Sequence, residues 1–380
     1  MIHQGKDNVT GRTDQRGDVT RVGVIGLGWA GQQHLEAFSQ AEGVEVLALA
    51  GMEDDLRRTL GGQYGVPHLV RTWEELLEVD SLDAVSIAVP TFLHAPIAIA
   101  ALERGLHVLC EKPLARDAVE GQSMVDAARR AGRVLDVAFN HRRRGDISAL
   151  KGVIDSGELG RSYYAKASWL RRQGIPQLGS WFTSKELSGG GPMIDIGVHV
   201  LDYALYLLDE PKAVTVSASA FAELGTRGRG GAKNISVTRE DADRAYEVED
   251  FSSAFVRFDD GSTLILEAGW ATYREAEDLL DFSVYGTEGG AHLHVAGAAK
   301  TPVGELRVFT DEDGETADYA LTAEPGRGHG QVIQDFIEVI RGDRVMWRDH
   351  DGSLALERAR IIDACYRSAA ARQEVRLADA

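Results

Sequence analysis

Residues 22–31 read VGVIGLGWAG, a short apolar strand that runs into a glycine-rich turn and then into a helix predicted near Trp29–Ala41. The turn matches the pattern G-x-G-x-x-G in the strand–turn–helix setting in which it binds dinucleotides. Gly26 permits the tight turn, Gly28 lets the backbone approach a pyrophosphate, and Gly31 lets the helix pack closely against the strand. The unpaired amide groups and the dipole at the start of the helix favour phosphates. The segment therefore predicts a dinucleotide site.

The order of the elements around this turn predicts an α/β fold in two parts. From Val22 to about His141, short apolar strands alternate with amphipathic helices, which indicates a doubly wound parallel Rossmann sheet covered on both faces. After Arg144, strands follow one another through hairpins such as that at 259–261, which indicates a large, mostly antiparallel open sheet with helices on one face. The helices of this second part are predicted near Met193–Leu208, Gly330–Arg341 and Gly352–Arg372.

The change from alternating strands and helices to strands joined by hairpins sets the expected domain boundaries. We expect a polar leader at residues 1–20, a dinucleotide-binding domain at 21–145 and an α/β domain for substrate binding and oligomerisation at 146–380. Packing of the last helices of the second domain against the dinucleotide-binding domain is compatible with these boundaries. The stretch Glu223–Arg244, rich in Gly, Arg and Asp, is predicted to be an exposed loop.

Composition and charge narrow the class of protein. The chain has 380 residues with 41 basic and 59 acidic side chains, a net charge of 41 − 59 = −18, which argues against a general binder of nucleic acids or membranes. No run of about 18 apolar residues is present to span a bilayer, and residues 1–20 lack a signal-peptide core. The two cysteines cannot form a disulfide framework, so the expected location is the cytoplasm.

The sequence leaves two possibilities for the residue that binds the adenosine ribose of the cofactor. An acidic residue is expected about 20 residues after the turn, where the chain has Gly51 followed by Glu53, Asp54 and Asp55. Either Glu53 binds the ribose hydroxyls of NAD, or Gly51 leaves room for the 2′-phosphate of NADP, held by Arg57 or Arg58. We favour NAD, because three carboxylates beside a phosphate would repel it.

Two further segments carry side chains suited to catalysis. Lys112 directly follows an apolar strand of the parallel sheet, and the carboxyl ends of such strands line the ligand crevice. Asp195 and His199 lie four residues apart on the helix that starts after Gly189–Gly191 and Pro192. We expect them to stand side by side, with the carboxylate fixing the tautomer of an imidazole that transfers a proton. No third ligand is spaced with them, so we expect no metal.

Aromatic and basic side chains before the glycine run are candidates for substrate contacts. Trp181 is predicted to form a wall against sugar C–H groups, and Arg171 to donate hydrogen bonds to hydroxyl or carboxylate oxygens. His34 lies on the apolar stripe of the first helix and is predicted to be a buried, hydrogen-bonded core histidine.

The ordered set of motifs resembles the Gfo/Idh/MocA family of sugar and cyclitol oxidoreductases. The resemblance rests on the Gly26–Gly31 turn, Glu111-Lys112-Pro113 and the glycine-rich segment that ends in Asp195 and His199, and it runs from about Thr20 to the C-terminus. It implies that Lys112, Asp195 and His199 are the catalytic group, and that the open sheet mediates a homodimer or homotetramer. The residues expected to bind the cofactor are Gly26, Leu27, Gly28, Trp29, Ala30, Gly31, Gly51 and Glu53, and, from the resemblance, Pro90, Thr91, His94, Glu111, Lys112 and Asn140.

The implied reaction is a reversible hydride transfer between a nicotinamide and a secondary hydroxyl or ketone of a sugar, sugar derivative or inositol. Lys112 or His199 takes the hydroxyl proton; we favour a charged Lys112 that polarises the substrate oxygen and a His199 that carries the proton. NAD is the expected cofactor, with NADP as the alternative. Two other functions stay open: a glycosidase that oxidises its substrate transiently with a tightly bound NAD, and a regulator that senses the cofactor without turnover.

Overall fold

The computed structural model describes residues 19–232, 246–298, 300–342 and 350–377. The predicted leader, apart from its last two residues, lies outside these ranges, as do residues 233–244 of the predicted loop. No helix within the described ranges combines the length and apolar character needed to cross a bilayer.

The amino-terminal part is a six-stranded parallel sheet, as predicted. Its strands are β1 (Thr20–Ile25), β2 (Val44–Ala50), β3 (His68–Val70), β4 (Ala84–Ile87), β5 (His107–Cys110) and β6 (Leu135–Val137). Its helices are α1 (Trp29–Gln40), α2 (Asp54–Tyr64), α3 (Trp73–Leu77), α4 (His94–Glu103) and α5 (Ala118–Ala131). The strand order β3-β2-β1-β4-β5-β6 brings the carboxyl ends of β1 and β4 together, where ligands bind in doubly wound sheets.

Alternate residues of these strands enter two apolar cores on opposite faces of the sheet. On one face, Val22 and Val24 of β1 pack with Leu35 and Phe38 of α1. On the other face, residues such as Val85 of β4 pack with α4 and α5. Both faces are therefore covered, which explains why the strands are apolar throughout rather than alternating.

The carboxy-terminal part is a large, mostly antiparallel sheet. Its strands are β7 (Tyr164–Arg171), β8 (Ala213–Phe221), β9 (Phe251–Phe258), β10 (Thr263–Gly269), β11 (Asp278–Tyr285), β12 (Gly289–Ala296), β13 (Glu305–Glu312), β14 (Glu315–Thr316), β15 (Tyr319–Leu321) and β16 (Val375–Arg376). The strand order is β14-β13-β12-β11-β7-β10-β9-β8-β16, with β15 paired to β13 and with β7 and β10 parallel. The helices are α6 (Gly145–Asp155), α7 (Lys185–Ser188), α8 (Pro192–Asp195), α9 (Gly197–Leu207), α10 (His329–Ile340) and α11 (Ser353–Ala371).

The helices of this part cover one face of the sheet and leave the other, here called the open face, without a helix in the described ranges. On β11, Leu280, Phe282 and Val284 are buried, whereas the alternating Asp281 and Ser283 are partly exposed on the open face. Helix α10 returns to the Rossmann sheet, where Val332 and Phe336 join the core formed by β1 and α1.

Packing at the third glycine of the turn gives a stability prediction. A Cβ atom at position 31 would lie 1.9 Å from the carbonyl oxygen of Gly26. We expect Gly31→Ala to lower the free energy of unfolding by about 1–3 kcal/mol, as overpacking does. The matched control is Gly62→Ala on α2, where a Cβ meets no atom within 4 Å and alanine should stabilise by roughly 0.5–1 kcal/mol. Urea unfolding of both variants measures the difference, and a Gly31→Ala variant as stable as the wild type would contradict the close packing.

Candidate active site

A cleft of about 1370 Å³ lies at the carboxyl ends of the Rossmann strands, beneath the second sheet. Its walls include the glycine turn after β1, the segments that follow β2, β4, β5 and β6, the end of β7, and residues of α8 and α9. The cleft brings together most of the residues that the sequence nominated.

The glycine turn has the geometry that phosphate binding requires. Gly26 has φ +94°, and a Cβ there would lie 2.2 Å from the carbonyl oxygen of Ala88. Gly28 begins α1 without a side-chain cap, and a Cβ at this position would meet no atom within 4 Å. Leu27, Trp29 and Ala30 line the cleft with them, whereas Gly31 lies behind the turn. The turn therefore leaves room for a pyrophosphate against the first amide groups of α1.

The segment after β2 lines the same end of the cleft through Gly51 and Glu53. Arg57 turns away: its guanidinium donates to the Gly51 carbonyl oxygen and, at 2.8 Å, to Asp54 Oδ1. Arg58 pairs with Asp55 at 2.7 Å and does not line the cleft. Neither arginine that was considered for a 2′-phosphate is directed at the cleft.

Arg71 is the arginine that does line this end of the cleft, and sequence reasoning missed it. Its Nη1 lies 2.7 and 2.9 Å from the two carboxylate oxygens of Asp54. The guanidinium is therefore engaged by a protein carboxylate rather than open to a phosphate.

The segments after β4, β5 and β6 contribute Pro90, Thr91, Glu111 and Asn140 to the cleft. His94 is the exception among the residues nominated by resemblance, because it is buried and does not line the cleft. Its ring nitrogens lie 2.8 Å from the carbonyl oxygen of Pro113 and 2.9 Å from that of Val89. His94 thus ties the loops after β4 and β5 together from behind the wall of the cleft.

Glu111 is the centre of a buried hydrogen-bond network. Its Oε1 lies 3.0 Å from His34 Nε2 and 3.3 Å from His329 Nε2, and its Oε2 accepts from the Lys112 amide at 3.1 Å. Burial opposes ionisation of Glu111, but these histidines outweigh it and hold the pKa of the carboxyl far below its ordinary value. The other nitrogen of His34 bonds to Ser86 Oγ at 2.7 Å, so His34 is the buried, satisfied histidine that the sequence predicted.

Lys112 and Asp195 meet across the cleft from the two parts of the chain. Lys112 Nζ donates to Asp195 Oδ1 at 2.8 Å and to the Asp195 carbonyl oxygen at 3.0 Å. The other carboxylate oxygen accepts from Trp270 Nε1 at 2.9 Å. Burial opposes ionisation of Asp195, but the neighbouring ammonium outweighs it and lowers the pKa of this carboxyl. Asp195 therefore fixes the lysine ammonium in the cleft.

The expectation that Asp195 orients His199 is wrong. The predicted continuous helix is interrupted at Ile196 between α8 and α9, and the Asp195 carboxylate turns to Lys112 and Trp270. A buried carboxylate gains more from an ammonium and an indole N–H than from a neutral imidazole. The short α8 is itself held by the buried Glu249, whose carboxylate accepts from the amides of Gly191 (3.0 Å) and Met193 (3.1 Å).

His199 instead packs in a group of rings on the wall of the cleft. Its ring centroid lies 4.4 Å from that of His141 and 5.8 Å from that of Trp169. The Nδ1 atoms of His141 and His199 are both buried without a hydrogen-bond partner among the described residues. Burial, followed by the neighbouring His141 and the ammonium of Lys112, places the pKa of His199 well below its ordinary value. His199 is therefore neutral near pH 7.

Three consecutive arginines hold the turn that carries His141. Arg142 Nε donates to Asp202 Oδ2 at 2.8 Å on α9, and Arg143 Nη2 lies 2.6 Å from Asp335 Oδ2 on α10. Arg144 Nη2 donates to Asp146 Oδ2 at 2.6 Å on α6. Breaking one such buried pair costs about 3–5 kcal/mol, so the position of His141 relative to these three helices is firmly set.

Both predicted substrate residues line the cleft. Arg171 lies over the Trp169 ring at 5.0 Å from its centroid, with Nε 3.4 Å from Asp278 Oδ1. Trp181 stacks on Phe182 with ring centroids 3.8 Å apart. The cleft therefore has an aromatic wall beside the lysine and the histidines.

Buried neutral histidines should make the protein less stable in mild acid. Burial lowers the pKa of His94 and His199, and it lowers the pKa of His141 to about 3. An imidazole in the unfolded chain titrates near pH 6.5. Below about that pH the unfolded chain therefore binds protons that the folded chain does not bind. The free energy of unfolding consequently falls as the pH falls. We expect His141→Asn to make this slope shallower by about 1 kcal/mol per pH unit near pH 5–6. Urea unfolding over this range measures it, and an unchanged slope would contradict a neutral buried His141.

Comparison with known proteins places this architecture in a family. Residues 20–139 match the model of the Gfo/Idh/MocA oxidoreductase family described as an NAD-binding Rossmann fold, and residues 147–292 match the Gfo/Idh/MocA C-terminal domain. The chain belongs to the Gfo/Idh/MocA family. It is thus an NAD-binding oxidoreductase, and the predicted fold class, enzyme class and cofactor are confirmed.

Relatives of this Gfo/Idh/MocA enzyme include named sugar dehydrogenases. D-glucoside 3-dehydrogenase of Escherichia coli (strain K12) is 32% identical over 352 residues, 92% of this chain and 95% of that protein. Levoglucosan dehydrogenase of Pseudarthrobacter phenanthrenivorans is 31% identical over 280 residues, 70% of this chain and 72% of that protein. Among solved structures, levoglucosan dehydrogenase in complex with NADH and levoglucosan aligns with TM-score 0.79 at 26% identity, covering 95% of this chain and 100% of that chain.

Proposed function

We propose that this enzyme oxidises a secondary ring hydroxyl of a pyranose-type sugar, such as a glycoside or an anhydro sugar, with NAD, and catalyses the reverse reduction. The observation that carries the proposal is the convergence of Lys112, Asp195 and His199 in one cleft with the glycine turn. The names of the relatives, a glucoside dehydrogenase and a levoglucosan dehydrogenase, support the substrate class.

The chain's own residues fit the cofactor. The turn at Gly26–Ala30 would hold the pyrophosphate, Gly51 and Glu53 the adenosine ribose, and Thr91, Glu111 and Asn140 the nicotinamide half. NAD, when bound, accepts the hydride from the carbinol carbon of the substrate. The open space above Gly28 and the positive φ of Gly26 support this placement.

Lys112 acts as a fixed positive charge. Its side chain is only 18% exposed, and Asp195 holds the ammonium with both a carboxylate and a carbonyl oxygen. A preorganised charge in a site with little water stabilises an oxygen on which negative charge develops. Lys112 therefore donates to the substrate oxygen while its C–O bond becomes a carbonyl.

His199 receives the hydroxyl proton. A base must be unprotonated before it can act, and burial keeps this imidazole neutral near pH 7. Its orientation comes from packing against His141 and Trp169 rather than from a carboxylate. General-base assistance of this kind contributes about 10²–10⁴-fold to the rate.

The aromatic wall supplies a surface for the sugar ring. Trp181 lines the cleft with an aromatic ring of the kind that packs on C–H groups, and Arg171, which lies over the buried Trp169 ring, supplies guanidinium donors for hydroxyl oxygens. We expect one face of the sugar ring to lie against this wall and its hydroxyl edge to accept hydrogen bonds from Arg171.

The carboxylate of Asp54 is a testable cause of the expected preference for NAD over NADP. Its carboxylate engages Arg71 at 2.7 Å and Arg57 at 2.8 Å. We expect Asp54→Asn to release Arg71 so that it can bind a 2′-phosphate. The ratio of kcat/KM with NADP to kcat/KM with NAD should then rise by about tenfold, because one charged hydrogen bond contributes about that factor. The matched control is Asp55→Asn, which releases only Arg58, outside the cleft. An unchanged ratio in Asp54→Asn would mean that Arg71 does not face the ribose.

The proposed function is tested with a panel of glycosides, anhydro sugars, aldoses and inositols, each with NAD and NADP, followed by nicotinamide absorbance. We expect net reduction of NAD by pyranose-type substrates. Glycoside cleavage with retained cofactor and no net absorbance change would replace the proposal with the glycosidase alternative. Binding of NADH without turnover of any substrate would favour the regulator.

A further inference from the structure

A cluster of metal-ligand side chains lies on the open face of the second sheet, apart from the cleft. Asp281 on β11 has its Oδ1 2.8 Å from His294 Nδ1 and 3.4 Å from His292 Nε2, both on β12. The ligand atoms of the three residues all lie within 4.8 Å of one another. None of the three lines the cleft, so the reaction described above makes no use of them.

The register of the sheet brings these side chains together. Asp281 is directly opposite His294, and His292 is two residues from His294 and therefore on the same face. Both strands are internal, since β11 lies between β7 and β12 and β12 lies between β11 and β13. Ligands on internal strands are held more firmly than ligands on loops.

We propose that Asp281, His292 and His294 bind a divalent transition-metal ion of the Zn²⁺ type. Two imidazoles and one carboxylate are a donor set that such ions take. With bonds of about 2.0–2.1 Å and tetrahedral angles, neighbouring ligand atoms lie roughly 3.3 Å apart. The separations of 2.8 and 3.4 Å to Asp281 Oδ1 bracket that value. The shorter one is a hydrogen bond between His294 and Asp281, which an ion would replace, and the second ring nitrogen of His294 has no hydrogen bond within the described residues.

The charges around the site are mixed in sign: Lys166 of β7 lies on the same face and pairs with Glu267 at 3.4 Å. In the single chain, the side chains of Asp281, His292 and His294 are 29%, 42% and 40% exposed, which leaves room for a water ligand or for a ligand from a second copy of the chain. Glu305 lies opposite His294 on β13 and adds a carboxylate on the same face. Arg307 lies opposite His292, but its guanidinium is directed towards the Phe309 ring, 5.7 Å from the centroid.

A second triad of metal-ligand residues, His34, Glu111 and His329, does not support the same inference. Both ring nitrogens of His34 are already engaged, by Ser86 and by Glu111. Glu111 also accepts from the Lys112 amide, so the network is satisfied by hydrogen bonds alone.

The test uses the full chain freed of metal by a chelator and titrated with Zn²⁺ by calorimetry and with Co²⁺ by visible absorption. We expect one equivalent to bind, with the spectrum of a tetrahedral, nitrogen-ligated Co²⁺. The double variant His292→Ala/His294→Ala should weaken binding by more than about 100-fold, since loss of even an outer hydrogen bond to a ligand costs roughly 10–100-fold. His68→Ala, which removes an exposed histidine on β3, should bind as the wild type does.

Absence of stoichiometric binding by the wild type, or equal binding by the double variant, would overturn the proposal. Circular dichroism establishes that the double variant is folded. If the double variant is not folded, the same two titrations are made on Asp281→Asn, which keeps the shape of the side chain. Unchanged metal affinity and an unchanged Co²⁺ spectrum in this variant would refute the site.

Discussion

Replacing Lys112 with methionine is expected to lower kcat by about 10³-fold while leaving NADH binding nearly intact. Loss of one preorganised donor to a developing oxyanion costs about 10²–10³-fold, and the buried Asp195 carboxylate also loses the positive charge beside it. Methionine keeps the unbranched stem and removes the ammonium. The Asp195 carboxylate retains Trp270, at 2.9 Å, as a donor. Steady-state kinetics with the best substrate of the panel gives kcat, and quenching of protein fluorescence gives the NADH dissociation constant.

The matched control is Lys212→Met, which removes an exposed lysine before β8. It should leave both constants within about twofold of the wild type, as surface substitutions do. An equal loss of turnover and NADH affinity in Lys112→Met would make Lys112 a cofactor-binding residue. Retention of full kcat would remove it from the chemistry.

Local patterns in the sequence were enough to predict the Rossmann half. The G-x-G-x-x-G turn and the alternation of strands and helices depend on neighbouring residues, and the structure reproduces them with Gly26 at φ +94°. Within this half, the elements that were not predicted are short: β3 has three residues and α3 has five. In the second part, the eleven-residue helix α6 was not predicted either. A signal for α3 was present, because Thr72 and Glu75 form a capping box at its start.

The contacts that define the site could not be predicted in the same way, because they join distant positions. Lys112 and Asp195 are 83 residues apart, and nothing in either segment specifies that the carboxylate prefers the lysine to a histidine on its own helix. His329 enters the cleft from the start of α10, whose sequence marks only an amphipathic helix. Asp202, three residues after His199 on α9, is buried and accepts hydrogen bonds from Arg142 and Arg358.

Two statements about the whole molecule stay predictions: a cytoplasmic location, and a homodimer or homotetramer formed through the open face. The metal site proposed at Asp281 lies on that same face, so metal titrations and measurements of oligomeric state are best made on the same samples.

Replacing His199 with alanine is expected to lower kcat by about 10²–10⁴-fold, the value of a general base, with the NADH dissociation constant within about twofold of the wild type. The matched control is His68→Ala, which should change neither constant. Because burial keeps the pKa of His199 well below its ordinary value, protonation of this residue should not reduce kcat of the wild type between about pH 8 and 6.

Double variants can distinguish an Asp195 carboxylate that orients His199 from one that holds Lys112. If Asp195 served His199, as the sequence suggested, Asp195→Asn would add nothing to His199→Ala. The hydrogen bond of 2.8 Å to Lys112 instead predicts that Asp195→Asn and Lys112→Met are strongly non-additive. Asp195→Asn combined with His199→Ala should then approach the product of the two single effects on kcat. The reverse pattern in the two double-variant cycles would restore the histidine–carboxylate pair and exclude the lysine–carboxylate pair described here.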